Sequence, residues 1–141
     1  MDDEQSTLQI DSILQLLGDD PKRIIDVGCG DGRVLIPLIV AGHELIGLDI
    51  DQHAIDACSI RCGELDIDAT LVHGNLFDNL PLDEPVDAIV CCGQMFMLID
   101  NVDAAVKALR LFKESLKENG IIIMDDIPGD LWPEVAGGQW A

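Results

Sequence analysis

A short β-branched run, Ile24-Ile25-Asp26-Val27, ends in three glycines at alternate positions, Gly28, Gly30 and Gly32, and an apolar stretch begins at Val34. Few local patterns restrict a fold as strongly. The run is bounded by Pro21 and the glycines and reads as a buried strand. Glycines accept positive φ and let a ligand come close to the backbone. The stretch that follows reads as a helix over 33–41, closed by Gly42, with Pro37 early in it, where a missing N–H costs least. A strand turning sharply into a helix aims free N–H groups and partial positive charge beyond the strand end. The pattern therefore demands an α/β architecture with a polar cradle after its first strand.

The rest of the chain repeats that alternation. Leu8, Ile10, Ile13, Leu14 and Leu17 fall near helical spacing before Gly18. Strands are predicted at 23–27, 44–49, 69–73, 86–92 and 121–124. Helices are predicted at 51–64, with Asp51 as N-cap, and at 101–118. In the latter, Val102, Ala105, Leu109, Phe112 and Leu116 form one apolar stripe. Lys107, Arg110, Lys113 and Lys117 lie on the adjacent arc and read as a solvated flank. Residues 74–85, with two prolines and no helical period, read as a loop. Strands so uniformly apolar belong to a parallel sheet covered on both faces. The expected fold is one α/β domain over 1–141, a doubly wound, mostly parallel sheet. Ligands bind such sheets beyond the carboxyl ends of the strands. The residues there are 28–32, Asp49, Gly74-Asn75, Cys92-Gly93-Gln94 and Asp125-Asp126.

Charge narrows the partners. The chain has 141 residues and carries 27 Asp+Glu against 8 Lys+Arg, for a formal net charge of −19. Such a surface repels phosphate backbones and anionic bilayers, so neither nucleic acid nor membrane is expected as a partner. With 48 % hydrophobic residues the chain can still bury a core. Residues 1–7 are acidic and polar rather than a basic leader, and a cytoplasmic location is expected. The five cysteines, at 29, 58, 62, 91 and 92, form no disulfide framework. Cys58 and Cys62 lack the companions of a zinc site and read as small buried hydrophobes, so no metal is expected.

Two spacings identify the cradle's ligand more closely. A nicotinamide dinucleotide fingerprint places its third glycine three positions after the second. Here that position is Arg33, and the third glycine is displaced to Gly32, which argues against an oxidoreductase. Asp49 ends the second strand 17 residues after Gly32, where a carboxylate can accept from both hydroxyls of a ribose. The alternative, a loop aspartate capping the next helix, is already filled by Asp51.

Asp26-Val27-Gly28-Cys29-Gly30-Asp31-Gly32-Arg33 resembles the first motif of class I S-adenosylmethionine-dependent methyltransferases, with Asp31 where Thr or Ser is commonest. Gly47-Leu48-Asp49-Ile50-Asp51 resembles the second motif, and Gly74-Asn75-Leu76 stands where Gly-Asp-Ala is frequent. Asp87-Ala88-Ile89-Val90 is similar to the family's fourth strand, and 116–124 to its last helix end and fifth strand. The resemblance implies a Rossmann-like sheet of strand order 3-2-1-4-5 and S-adenosylmethionine as cofactor. It implies that Asp26 helps hold the methionine amine, and that Gly28, Cys29, Gly30 and Gly32 line the methionine and ribose with backbone. Asp49 would bind the ribose hydroxyls and Ile50 would pack on the adenine. The Asn75 side-chain oxygen would meet the adenine amino group, the Leu76 N–H a ring nitrogen, and the Cys92 and Gly93 backbone the methionine end.

The chain also departs from the family. Only 15 residues follow Asp126, too few for the usual C-terminal antiparallel strand pair, and Trp132 and Trp140 there are expected to pack over the sheet edge, the alternative being part of an interface. Asp125, Asp126 and Gln94 are the candidate catalytic residues, and His73 reads as structural. Cys91-Cys92 lacks the preceding Pro of a cytosine-methylating nucleophile, and no Asn/Asp-Pro-Pro-Tyr motif follows the fourth strand. The expected activity is methyl transfer to a small-molecule acceptor. The alternative is a cofactor-binding module without catalysis of its own. The sequence leaves the acceptor and the oligomeric state open.

Overall fold

A computed structural model describes residues 3–92 and 102–124. The elements run α1 (Asp3–Leu17), β1 (Arg23–Val27), α2 (Leu35–Val40), β2 (Glu44–Asp49) and α3 (Gln52–Glu64). They continue with β3 (Thr70–His73), α4 (Leu76–Asn79), β4 (Val86–Cys91), α5 (Val102–Ser115) and β5 (Leu116–Met124).

The five strands form one sheet of order β3-β2-β1-β4-β5, every pair parallel. This is the sequence-predicted topology. Alternation along the strands sorts two apolar layers. Ile24, Leu45, Ala88 and Val90 face one way and pack with Ile13, Leu17, Leu35, Leu38, Ile55 and Cys58 of α1, α2 and α3. Ile25, Val27, Ile46, Leu48 and Ile89 face the other way and pack with Leu76, Ala105, Leu109 and Phe112 of α4 and α5. Both faces are therefore dry, which is why the strands read as unbroken apolar runs. Phe112, wholly buried, contributes about 2–3 kcal/mol of hydrophobic stabilisation by itself.

The larger departures from the sequence reading have local causes. Within the expected loop 74–85, Asn75 accepts from the Phe77 N–H at 2.8 Å and so nucleates α4, a single turn too short to show a period. The glycine turn runs further than expected, and α2 starts at Leu35 rather than residue 33. At the other end, α5 stops at Ser115, whose hydroxyl donates to the Leu111 carbonyl at 2.7 Å. Leu116, expected on the helical stripe, pairs with Val86 on β5 instead. Residues 117–120 bulge opposite Asp87 before Ile121 pairs with Ala88, with Asn119 at φ +69° making the turn. Asp87 ties this irregularity down. It accepts from the Arg23 N–H at 2.8 Å and pairs with Lys117 Nζ at 3.3 Å, and both hold its carboxyl below the usual carboxylate range.

Because all five strands run the same way, their carboxyl ends share one rim. The chain direction of the crossovers reverses between β1 and β4, which places the switch point beside the glycine turn. No helix among the described residues is long and apolar enough to cross a membrane.

Candidate functional site

The rim is built around the turn after β1. Gly28, Gly30 and Gly32 all have positive φ, at +75°, +57° and +99°. The glycines do different work. A Cβ at Gly30 would meet nothing within 4 Å, so this is where the backbone lies open to a ligand. A Cβ at Gly32 would sit 2.8 Å from Ile36 Cδ1 and 3.1 Å from Cys58 Sγ, so this glycine lets the turn press against α2 and α3. The Cys29 side chain is buried away from the open side, and only its backbone can serve a ligand. Its thiol is pushed up by burial and, secondarily, by the Asp26 carboxyl, so it stays uncharged and unreactive.

Asp49 at the end of β2 reaches across to this turn. Its Oδ2 accepts from the Gly30 N–H at 2.8 Å, and its Oδ1 accepts from the Asp51 N–H at 2.9 Å. Asp51 in turn caps α3 by accepting from the His53 N–H at 2.9 Å, as its spacing predicted. The carboxylate of Asp49 thus fixes the open glycine relative to β2, and each oxygen retains a further lone pair for a ligand hydroxyl. Ile50 next to it is 67 % exposed, a large apolar side chain standing at the rim with little cover.

β3 supplies the third wall. Gly74 N–H donates to the Asp49 carbonyl at 2.9 Å, and His73 Nε2 lies 3.0 Å from the Ile50 carbonyl. His73, read as structural from its position, thus links the end of β3 to the residue after Asp49. The Asn75 oxygen is engaged with Phe77 N–H, so any adenine contact there would have to share it. Leu76 opens α4, and its N–H is one of the donors a helix N-terminus leaves over.

The strongest electrostatic feature is Asp26. It stands in the middle of the sheet, opposite Gly47 of β2 and Val90 of β4, and is 3 % exposed. Its Oδ2 has no hydrogen-bond partner among the described residues. Burial pushes its carboxyl up to about 7, the Arg33 guanidinium opposes that, and the Asp49 carboxylate reinforces it. A buried carboxyl with an idle oxygen is costly unless a ligand uses it.

Cys92, at the end of β4, is buried at this rim. Gly93, Gln94, Asp125 and Asp126 lie outside the described residues, as do Trp132, Trp140 and the segment of the expected missing strand pair. Among the described residues no cluster of His, Cys, Asp or Glu could hold a metal ion. Three features were not anticipated from the sequence. Arg33 Nη1 donates to Gln9 Oε1 on α1 at 2.7 Å, and Arg61 Nη1 of α3 donates to the Asp31 carbonyl at 3.1 Å, so two arginines tie the turn to α1 and α3. Gly47 is required because Cys29 Sγ would lie 2.9 Å from its Cβ. None of these pairings follows from spacing alone, since each joins distant elements. A groove at the opposite rim, lined by Lys22, Arg23, Glu44, Glu84, Asp87 and Lys117, holds its charges in pairs such as Arg23–Glu84 at 2.6 Å.

Residues 24–120 match a family model described as a methyltransferase domain. A ubiquinone biosynthesis O-methyltransferase from Alkalilimnicola ehrlichii is 28 % identical over 108 residues, 75 % of this chain and 44 % of that protein. A cypemycin N-terminal methyltransferase from Streptomyces is 26 % identical over 106 residues, 75 % of this chain and 42 % of that protein. The chain thus spans less than half the length of these curated relatives. An S-adenosylmethionine-dependent methyltransferase structure from Clostridium acetobutylicum superposes with a TM-score of 0.76 at 20 % identity, covering 96 % of this chain and 55 % of that one. A glycopeptide N-methyltransferase solved with S-adenosylmethionine gives a TM-score of 0.73 at 20 % identity, covering 84 % of this chain and 53 % of that one.

Proposed function

This chain belongs to the methyltransferase-domain family, and on that premise we propose that it binds S-adenosylmethionine at the glycine-turn rim and directs its methyl group to a small-molecule acceptor. The observation that carries the reading is the buried, unpartnered Oδ2 of Asp26 beside the open Gly30. The residues present fit the cofactor's three parts. Asp26 offers a carboxylate to an ammonium, Asp49 offers free lone pairs to a diol, and the exposed Ile50 offers an apolar shelf to a purine. Gly28, Cys29, Gly30 and Gly32 provide backbone only. Asn75 and Leu76 would meet the purine edge, and the Cys92 backbone would close the methionine end.

When bound, S-adenosylmethionine supplies a methyl group activated by a sulfonium. The chain's task is then alignment and exclusion of water. The glycine turn, held by Asp49, fixes one end of the cofactor, and the apolar layers beneath it keep the rim's floor dry. An acceptor that keeps its proton until attack needs a carboxylate to receive it. Asp125 and Asp126, which follow β5, and Gln94, which follows β4, are the proposed acceptor-side groups. The net charge of −19 supports a small acceptor over a polyanion. A second reading is a cofactor-binding module without catalysis of its own.

Isothermal titration of the full chain with S-adenosylhomocysteine, with NADH as control, tests the cofactor. Micromolar binding of the former alone is expected. A folded chain that binds neither overturns the proposal. Binding without turnover across a panel of hydroxyl and amine acceptors would favour the second reading.

A further inference from the structure

Asp26 lies on the sheet face covered by α1, α2 and α3, beneath the glycine turn. At 3 % exposure it has almost no access to water, and its Oδ2 meets no donor among the described residues. The charged and titratable groups that face it come from each element around it. Arg33, from the turn itself, attracts it, with one arm of that guanidinium held by Gln9 of α1 at 2.7 Å. Asp49, from β2, repels it. Cys29 of the turn and Cys58 of α3 interact with it as thiols, Cys58 being pushed up to about 12 mainly by burial. β4 adds Asp87, near its start, apolar side chains and the buried Cys91, and Cys92 follows it.

These surroundings leave one buried acid facing one guanidinium and a second carboxylate that is already engaged with two backbone N–H groups. We propose that cofactor binding expels one proton from the Asp26 carboxyl, so that this site loads its cofactor more tightly as pH rises toward neutrality. The inference rests on the cofactor reading above and extends it to the regulation of the same site. The balance is simple. The free protein holds Asp26 partly as the neutral acid at neutral pH, because burial raises it to about 7. The incoming group is an ammonium, which has donors and no acceptor. A neutral carboxyl gives it one carbonyl oxygen and no charge, whereas a carboxylate gives a charge-assisted bond in a dry setting. The proton therefore passes from Asp26 to solvent, and the ammonium takes its place as the positive partner of the buried oxygen. No bond other than the O–H is broken.

The test uses S-adenosylhomocysteine, which carries the same ammonium, titrated into the full chain between pH 5.5 and 7.5. Each pH is run in two buffers of different ionisation enthalpy, so that the heat reports protons released. With a midpoint near 7 and a tenfold change per pH unit below it, the affinity should rise by up to about 25-fold across this range. Close to one proton should be released at pH 6. Asp26→Asn should flatten the profile at the weak end. Arg33→Gln, at a part-buried position, should keep the rise and move its midpoint to higher pH, because the cation that favours the carboxylate is gone.

A chain that binds with affinity constant within about twofold and with no buffer-dependent heat overturns the proton linkage and leaves the cofactor reading standing. A rise that persists in Asp26→Asn overturns the assignment to this residue. A folded chain that binds at no pH overturns the cofactor reading and the linkage with it.

Discussion

Replacing Asp49 separates two roles that a single carboxylate is proposed to combine. One is structural. Its oxygens accept from Gly30 N–H at 2.8 Å and Asp51 N–H at 2.9 Å, so Asp49→Ala deletes two charge-assisted bonds. A bond to a charged group contributes about 1.5–3 kcal/mol, with the low end suited to the part-buried Gly30 bond and less to the exposed Asp51 bond. Loss of repulsion with Asp26 offsets a little of this. The sum is about 2 kcal/mol. For a chain of 141 residues, an unfolding entropy of about 0.3 kcal/mol/K turns that into a fall in Tm of about 7 °C. Urea unfolding should show the lower midpoint at an unchanged slope. The other role is ligand binding. Affinity for S-adenosylhomocysteine should drop by about 1–3 kcal/mol as two hydroxyl contacts vanish. Asp49→Asn, which keeps one neutral acceptor, should lose about half of each. An alanine variant as stable as the parent would refute the claim that Asp49 holds the turn. Unchanged affinity in a folded variant would refute the placement of the ribose.

Three further outcomes follow from the same geometry. Gly32→Ala sets a Cβ 2.8 Å from Ile36 Cδ1 at φ +99°, and should cost about 1–3 kcal/mol in urea unfolding; a neutral result would mean that α2 shifts freely. Asn75→Ala removes the cap on Phe77 N–H and should cost about 1 kcal/mol, with faster amide exchange confined to residues 76–80. Asp26 should make the ligand-free protein less stable as pH rises. Its carboxyl is raised from 3.8 to about 7, so the folded state binds more protons than the unfolded one between those values. The penalty is absent below about pH 4 and complete above about pH 7, where at 1.4 kcal/mol per unit it reaches at most about 4 kcal/mol. Relative to the parent, Asp26→Asn should therefore gain stability from about pH 4 to about pH 7 and level off above, and parallel stability curves would sink the argument.

The sequence by itself determined the layers and the rim, and the strand order followed from its resemblance to a known family. β1 and β2 lie where their β-branched and apolar runs placed them, because a strand buried on both faces has no choice of composition. The glycine turn and the Asp51 cap were equally legible, since backbone conformation and capping are local chemistry. Tertiary structure decided the rest. The single turn of α4 is too short to leave a period, and the end of α5 was set by Leu116 finding Val86 across the sheet rather than by helix propensity. Asp49 was legible as a candidate site residue, but its grip on Gly30 spans 19 positions and needs β1 and β2 side by side. Asp26 could be named from its place before the glycines. Its acidity could not, because that depends on how much water the packed helices leave and on the distances to Arg33 and Asp49, which only the folded chain defines.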